Sequence, residues 1–261
     1  MKLATPLPRT RRPLGGRRVS LALALALIIC CAARTTPCAA ASIALAWDEC
    51  RSGGGALLET NACNSNIGVQ EWFASFTLDF PVDDAIGIIA VFDFQHGQGS
   101  IPDWWALQPG GCRVGELDPF ASFSDRPGCS DPWAMAAGGA IAVIPGINPT
   151  QPRGGANQMR IYYSAAVPSA QAVDWAAGTT YHAARLRLTN ARTTGASPCA
   201  GCSGAACLVL NGIELQRLTG PDVVLSDGGG QNIVNWQSAG PDCAAVPVHR
   251  TSWGRLRTLY R

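Results

Sequence analysis

The segment CAGCSGAAC carries Cys199, Cys202 and Cys207 at a C-x2-C-x4-C spacing. Three chemistries suit sulfurs set this close. Joined by Cys243, they offer the four thiolates of a tetrahedral zinc site, although such sites usually show two short pairs and Cys243 stands alone. Cys199 and Cys202 by themselves match a C-x-x-C redox pair, which needs a thioredoxin-like βαβ setting. Alternatively, each sulfur is half of a structural disulfide. The compartment decides among these, because an oxidising environment favours bridging over free thiolates.

Other residues could also do chemistry. Trp104 and Trp105, in IPDWWALQPGGC, could present a flat aromatic face to the apolar face of a sugar, with Trp133 close by in sequence. The opposing account is a helical turn led by Pro102 with both rings packed inside, the usual fate of rings this large. Asp118, Asp125 and Asp131 could gather round calcium, but they do not follow an EF-hand pattern and read first as solvated loop carboxylates. His96, His182 and His249 lie far apart in unlike contexts. No nucleophile elbow, H-E-x-x-H or phosphate loop accompanies them. A glycan hydrolase would draw its two carboxylates from distant segments, so it stands as the enzymatic alternative to a non-catalytic role. Neither cofactor nor resident metal is expected.

The N-terminal 41 residues supply the compartment. Lys2, Arg9, Arg11, Arg12, Arg17 and Arg18 precede the apolar run LALALALIICCAA, and the small residues Cys38 to Ser42 follow it. This is the layout of a secretory signal peptide. Arg17-Arg18 faintly echoes a twin-arginine signal, which leaves the export route open. Seven of the 20 basic residues and no acid lie in 1–41, which leaves 13 basic against 18 acidic residues, a net of −5. Without a clustered basic face, a nucleic-acid partner is disfavoured. Residues after 41 include no run apolar and long enough to span a bilayer as a helix. The expected location is therefore secreted or cell-envelope, periplasmic or extracellular.

Eleven cysteines less Cys30, Cys31 and Cys38 leave eight in the exported part: Cys50, Cys63, Cys112, Cys129, Cys199, Cys202, Cys207 and Cys243. An even count in an exported chain implies four disulfides. Proximity suggests Cys50–Cys63 and Cys112–Cys129, leaving two bridges among the other four.

The elements that hold these residues follow the strand period of two. In QEWFASFTLDF, Trp72, Ala74, Phe76, Leu78 and Phe80 fall on one side, and Glu71, Ser75, Thr77 and Asp79 on the other. IGIIAVFDF (86–94) is apolar on both faces, as in a central strand, and PVDDA before it reads as a hairpin connection. QMRIYYSAAV (158–167) and TTYHAARLRLT (179–189) alternate again, and shorter strands are expected at 42–47, 139–145, 207–218, 222–225 and 231–236. The region 95–135 reads as a long decorated loop. The expected fold is an all-β antiparallel sandwich, jelly-roll or immunoglobulin-like Greek key, over 42–245 as one domain. A basic tail, 246–261, follows. Its last residues read as a short helix with Trp253, Leu256, Leu259 and Tyr260 on one side, suited to docking on the protein, a membrane surface or a secretion machine.

Trp175-Ala176-Ala177-Gly178-Thr179-Thr180-Tyr181 resembles the tyrosine corner of fibronectin type III domains, with Trp175 and Ala177 in place of leucine and proline. The resemblance implies that the Tyr181 hydroxyl bonds back to upstream backbone. Over most of its exported length the chain resembles a set of uncharacterised secreted bacterial proteins. They share W-x-x-C (Trp47 to Cys50), P-x-W-W (Pro102 to Trp105), C-x-G-C-x4-C (Cys199 to Cys207) and a final T-W-G-x-x-[KR]-x-L-Y-R, interrupted here by Ser252. This resemblance implies export and a shared fold, and no catalytic role. The expected function is a secreted binding or structural protein, with glycan binding as its sharper form. In the third alternative the tail is a surface-sorting signal.

Overall fold

In the computed structural model, the described residues are 41–50, 55–133, 137–145, 155–226 and 231–238, all within one compact unit. They form a disulfide-bonded β-sandwich. The strands are β1 (Ser42–Trp47), β2 (Leu58–Glu59), β3 (Val69–Thr77), β4 (Val82–His96), β5 (Leu117–Phe120), β6 (Gly138–Pro145), β7 (Gln158–Ala166), β8 (Val173–Trp175), β9 (Thr180–Thr189), β10 (Ala206–Arg217), β11 (Val223–Leu225) and β12 (Ile233–Trp236). The smaller sheet runs β1-β3-β9-β5. The larger runs β2-β12-β10-β4-β7-β6, with β11 on β10 and β8 on β4. Among the described residues the only helical elements are 3-10 turns at Asp103–Trp105 and Ser169–Gln171. The expected C-terminal helix, with Trp253, Leu256, Leu259 and Tyr260, lies outside the described residues, as do His249 and residues 1–40 of the expected signal peptide.

Alternation explains the layering. Trp72, Ala74 and Phe76 of β3, Leu186 and Leu188 of β9, Met159, Ile161 and Tyr163 of β7 and Ile88, Phe92 and Phe94 of β4 all enter one buried core. Each large side chain so removed from water contributes about 1.5–3 kcal/mol. β4 is central, flanked by β10 and β7 along most of its length, as its two-sided apolar character requires. Phe80 breaks the pattern and is exposed.

Two local expectations are corrected. PVDDA does not close a hairpin: β3 and β4 belong to different sheets, and the connection crosses the sandwich from one to the other. A short connection fits either geometry, and the partner of each strand is chosen by long-range pairing. The 95–135 region is not only loop, since Leu117–Phe120 pairs with β9 as β5.

The tyrosine-corner resemblance meets its geometry. The Tyr181 hydroxyl accepts a hydrogen bond from the Ala176 N–H at 2.9 Å, and Gly178 adopts φ +74°. The segment spans the passage from β8, paired with β4 in the large sheet, to β9 in the small one.

Candidate functional site

The cysteines settle the meaning of CAGCSGAAC. Cys199 bridges Cys112 and Cys202 bridges Cys63, while Cys50 bridges Cys129. The expected short-range pairs Cys50–Cys63 and Cys112–Cys129 are thus corrected, along with sharing of Cys199 and Cys202 within their own cluster. Sequence proximity misleads here because folded strands bring loops together that are far apart in the chain. Cys207 is disulfide-bonded as well, and Cys243 lies outside the described residues. The cluster works as a fastening point: two adjacent sulfurs tie down two different distant loops.

Its glycines have structural reasons. Gly201 holds φ +104° with the Pro102 ring directly where a Cβ would stand, and a Cβ on Gly204 would meet the buried His96 ring. The motif therefore brings the tryptophan loop and the end of β4 against one backbone. Gly201→Ala is expected to cost roughly 2–3 kcal/mol from left-handed strain and overpacking. A lowered urea midpoint with an unchanged denaturant slope checks this.

The tryptophan pair is part of that packing. Pro102 leads the 3-10 turn Asp103–Trp105. Trp104 and Trp105 are both 0 % exposed and Trp133 is 3 % exposed, which is the packed account of the Pro102-led turn, and none of the three candidates presents an exposed sugar platform. Trp104 stacks on Trp236 at 5.1 Å, and Trp105 meets Phe94 at 4.3 Å. The Trp104 indole N–H donates to the Thr193 hydroxyl at 2.9 Å. Arg113, fully buried, lies 3.8 Å over the Trp104 ring and donates to the carbonyls of Trp104, Ala191 and Thr189. Burial pushes the Arg113 guanidinium down to about 10, with the Glu116 charge opposing.

Sequence alternation set Glu71 on the side of its strand opposite the apolar residues, which in the structure is the outer face of the small sheet. The structure covers that face with the 121–131 segment. Glu71 is 2 % exposed and Arg185 equally buried. The Glu71 carboxylate accepts from Arg185 Nε at 3.0 Å and Nη2 at 2.8 Å, from Arg187 Nε at 3.0 Å, and from Arg126. Arg185 reaches on to Asp125 at 2.7 Å, and the Arg185 and Arg187 guanidinia cover Phe120. Burial alone would raise the Glu71 carboxyl. The hydrogen bonds from Arg185 and Arg187, with the charges of Arg185 and Arg126, outweigh it and hold the group below the usual carboxylate range. A matching pair occupies the large sheet, where buried Arg160 forks onto Asp93 at 2.6 and 2.7 Å beside Asn211. The sequence signal was Asp93 within the apolar run IGIIAVFDF for one network, and for the other only Glu71 on the polar side of its strand.

Of the carboxylates considered for calcium, one belongs to the Glu71 network. Asp125 is held by Arg185. Asp131 accepts from the Phe123 and Trp133 N–H groups, and Asp118 sits opposite Arg187 in the β5–β9 register. His182, also fully buried, has its Nδ1 3.3 Å from the Ser130 carbonyl. Burial lowers its pKa, and the hydrogen bond to Ser130 opposes. A ring nitrogen lies within 4.8 Å of the Cys50 and Cys129 sulfurs. With those sulfurs bridged to one another, the trio offers no thiolate to a metal. His96, at the end of β4, accepts at Nδ1 from the Gln98 N–H and is stacked on Phe94.

Two features remain that could meet a ligand. A hydroxyl-rich cavity of about 330 Å3 is lined by Ser42, Ala44, Ser75, Phe76, Thr77, Thr180 and Gln231, with the Thr77 and Thr180 hydroxyls 2.8 Å apart. On β2, Glu59 has the Asp48 carboxyl as its acidic neighbour. Burial first, then the Asp48 carboxyl through hydrogen bonding and charge, push Glu59 up to about 7. Because the folded Glu59 binds its proton more tightly than the unfolded chain, its contribution is complete below pH 4.5 and is lost as pH rises through 7. The melting temperature should accordingly fall between pH 5 and 8, and Glu59→Gln should flatten that slope.

No family model matches the chain, and no curated protein matches it.

Proposed function

We propose that this chain is an exported protein of the cell envelope or extracellular space with a binding or structural role. The disulfide pattern is the observation that supports this reading. Three bridges with sequence separations of 79, 139 and 87 residues fasten the irregular loops to one another. A core of this kind forms and persists where thiols are oxidised. The buried charges point the same way, since Glu71 and Asp93 are both neutralised by arginines instead of facing a cleft. The leader of 1–41 and the likeness to secreted bacterial proteins add to this. Expression with the native leader, followed by intact-mass and thiol measurements, tests it. The expected product begins at Ser42 and has none of its eight cysteines free. A chain that stays in the cytoplasm with its leader attached, or that carries eight free thiols in its native state, would overturn it.

One specific observation favours a sharper second reading, a small polyol or sugar ligand. The cavity of Ser42, Ser75, Thr77, Thr180 and Gln231 offers hydroxyl and carboxamide partners at a volume suited to a small ligand. A glycan array of the secreted protein, with Thr180→Val alongside, tests it. Each lost hydrogen bond of about 1 kcal/mol should weaken binding roughly fivefold. A blank array, or binding indifferent to Thr180→Val, would remove this reading.

A further inference from the structure

A β-strand at the edge of a sheet offers a row of unpaired N–H and C=O groups, which natural proteins usually shield with charges, prolines, bulges or brevity. Three of the four sheet edges described here are shielded. β1 is buried, and its outer side is occupied where the Leu45 N–H donates to Gln231 and the Trp47 N–H to Ala56. β5 has four residues and includes Asp118 and Pro119. β2 has two residues.

β6 is different. It ends the large sheet with eight residues, GGAIAVIP, and pairs with β7 over eight consecutive positions without a bulge. No charged residue occurs between Asp131 and Arg153. Its only proline is the last residue. Ile141 and Val143 pack against the core, while Ala140 and Ala142, on the other face, are exposed.

We propose that β6 pairs antiparallel with β6 of a second copy of this chain, joining two large sheets into one. The neutrality of the strand suits this occupant, since it removes the like-charge clash that self-pairing would otherwise create. A two-fold antiparallel pairing sets a strand against itself, so any charge near its centre would meet its own kind. Centred on Ala142, the pairing sets Ala140 opposite Ile144 and Ile141 opposite Val143, all on matching faces. It closes at two copies, because the far end of the same sheet is the two-residue β2.

Sedimentation and light scattering of the secreted, disulfide-intact protein, across micromolar to millimolar concentrations, test the proposal. The expected result is a dimer whose dissociation constant Ala142→Lys raises at least a hundredfold. Ala140→Lys should act in the same direction. Both positions are exposed, so the melting temperature of the monomer should hold, which separates lost pairing from lost folding. Hydrogen exchange should show β6 amides protected in the dimer and released in Ala142→Lys. A monomer at every concentration, a dimer that survives both lysines, or a dimer whose β6 amides exchange freely would each overturn it.

Discussion

Replacing Cys63 and Cys202 together by serine is expected to destabilise the protein by about 4–5 kcal/mol, with a melting temperature lower by roughly 10–20 °C. The bridge closes a separation of 139 residues, the longest of the three described. Crosslinking two points so far apart removes much of the freedom of the unfolded chain, and that freedom returns when the bridge is absent. The native state also loses local order. Cys63 sits in the segment after β2 and Cys202 in the loop that packs Gly201 against Pro102 and Gly204 against His96. Loosening this loop should disturb the burial of Trp104 and Trp105, so tryptophan fluorescence should shift red before global unfolding. Calorimetry of the double serine variant beside the wild type checks the magnitude. A loss under about 1 kcal/mol would mean that the bridge decorates a loop already held by packing.

Glu71→Gln should cost about 3–5 kcal/mol, because it leaves Arg185 as a buried cation without its main partner. Arg185 and Glu71 have side chains only 2 % and 3 % exposed, whereas Arg126 and Arg187 are 37 % and 32 % exposed and can turn to water. Asp125, the other partner of Arg185, is 61 % exposed and too well solvated to substitute. Deleting both buried charges is a different matter. Glu71→Leu with Arg185→Met should recover most of the loss, since a buried ion pair replaced by apolar groups is often neutral or better. A double-mutant cycle in urea reads the coupling directly. The pH dependence has a definite sign. The folded Glu71 pKa lies below its unfolded value near 4.5, so its contribution is complete above that pH and is lost as pH falls through the folded value. Glu59 acts in the opposite direction at higher pH. Stability should therefore be greatest in mildly acidic solution, and Glu71→Gln should shrink the acid limb while leaving the limb from Glu59 in place.

The networks rigidify the sandwich. Arg113, Arg185 and Arg160 each hold a sheet or loop in one geometry through several bonds, and paired buried charge of this kind resists rearrangement. A rigid, covalently fastened sandwich suits a protein that presents a fixed surface, either to a small ligand or to its own β6 edge.

Period-two alternation is a local property, and it determined the class of fold. A strand must put alternate side chains on opposite faces whatever it pairs with, so Trp72, Ala74 and Phe76, or Met159, Ile161 and Tyr163, showed a core face before any partner was known. The Gly178–Tyr181 corner was legible for the same reason, since its hydrogen bond spans five residues. An even cysteine count in a chain read as exported was likewise enough to imply bridges. Only tertiary structure decided which sulfurs meet, that β3 and β4 lie in different sheets, and that Trp104 and Trp105 face inward. It alone covered Glu71 and Arg185 with a distant loop. Each of these depends on which segments approach across more than fifty residues of chain or from another layer. Such approaches are set by the sum of many weak contacts, and neither the spacing nor the chemistry of any short stretch records it.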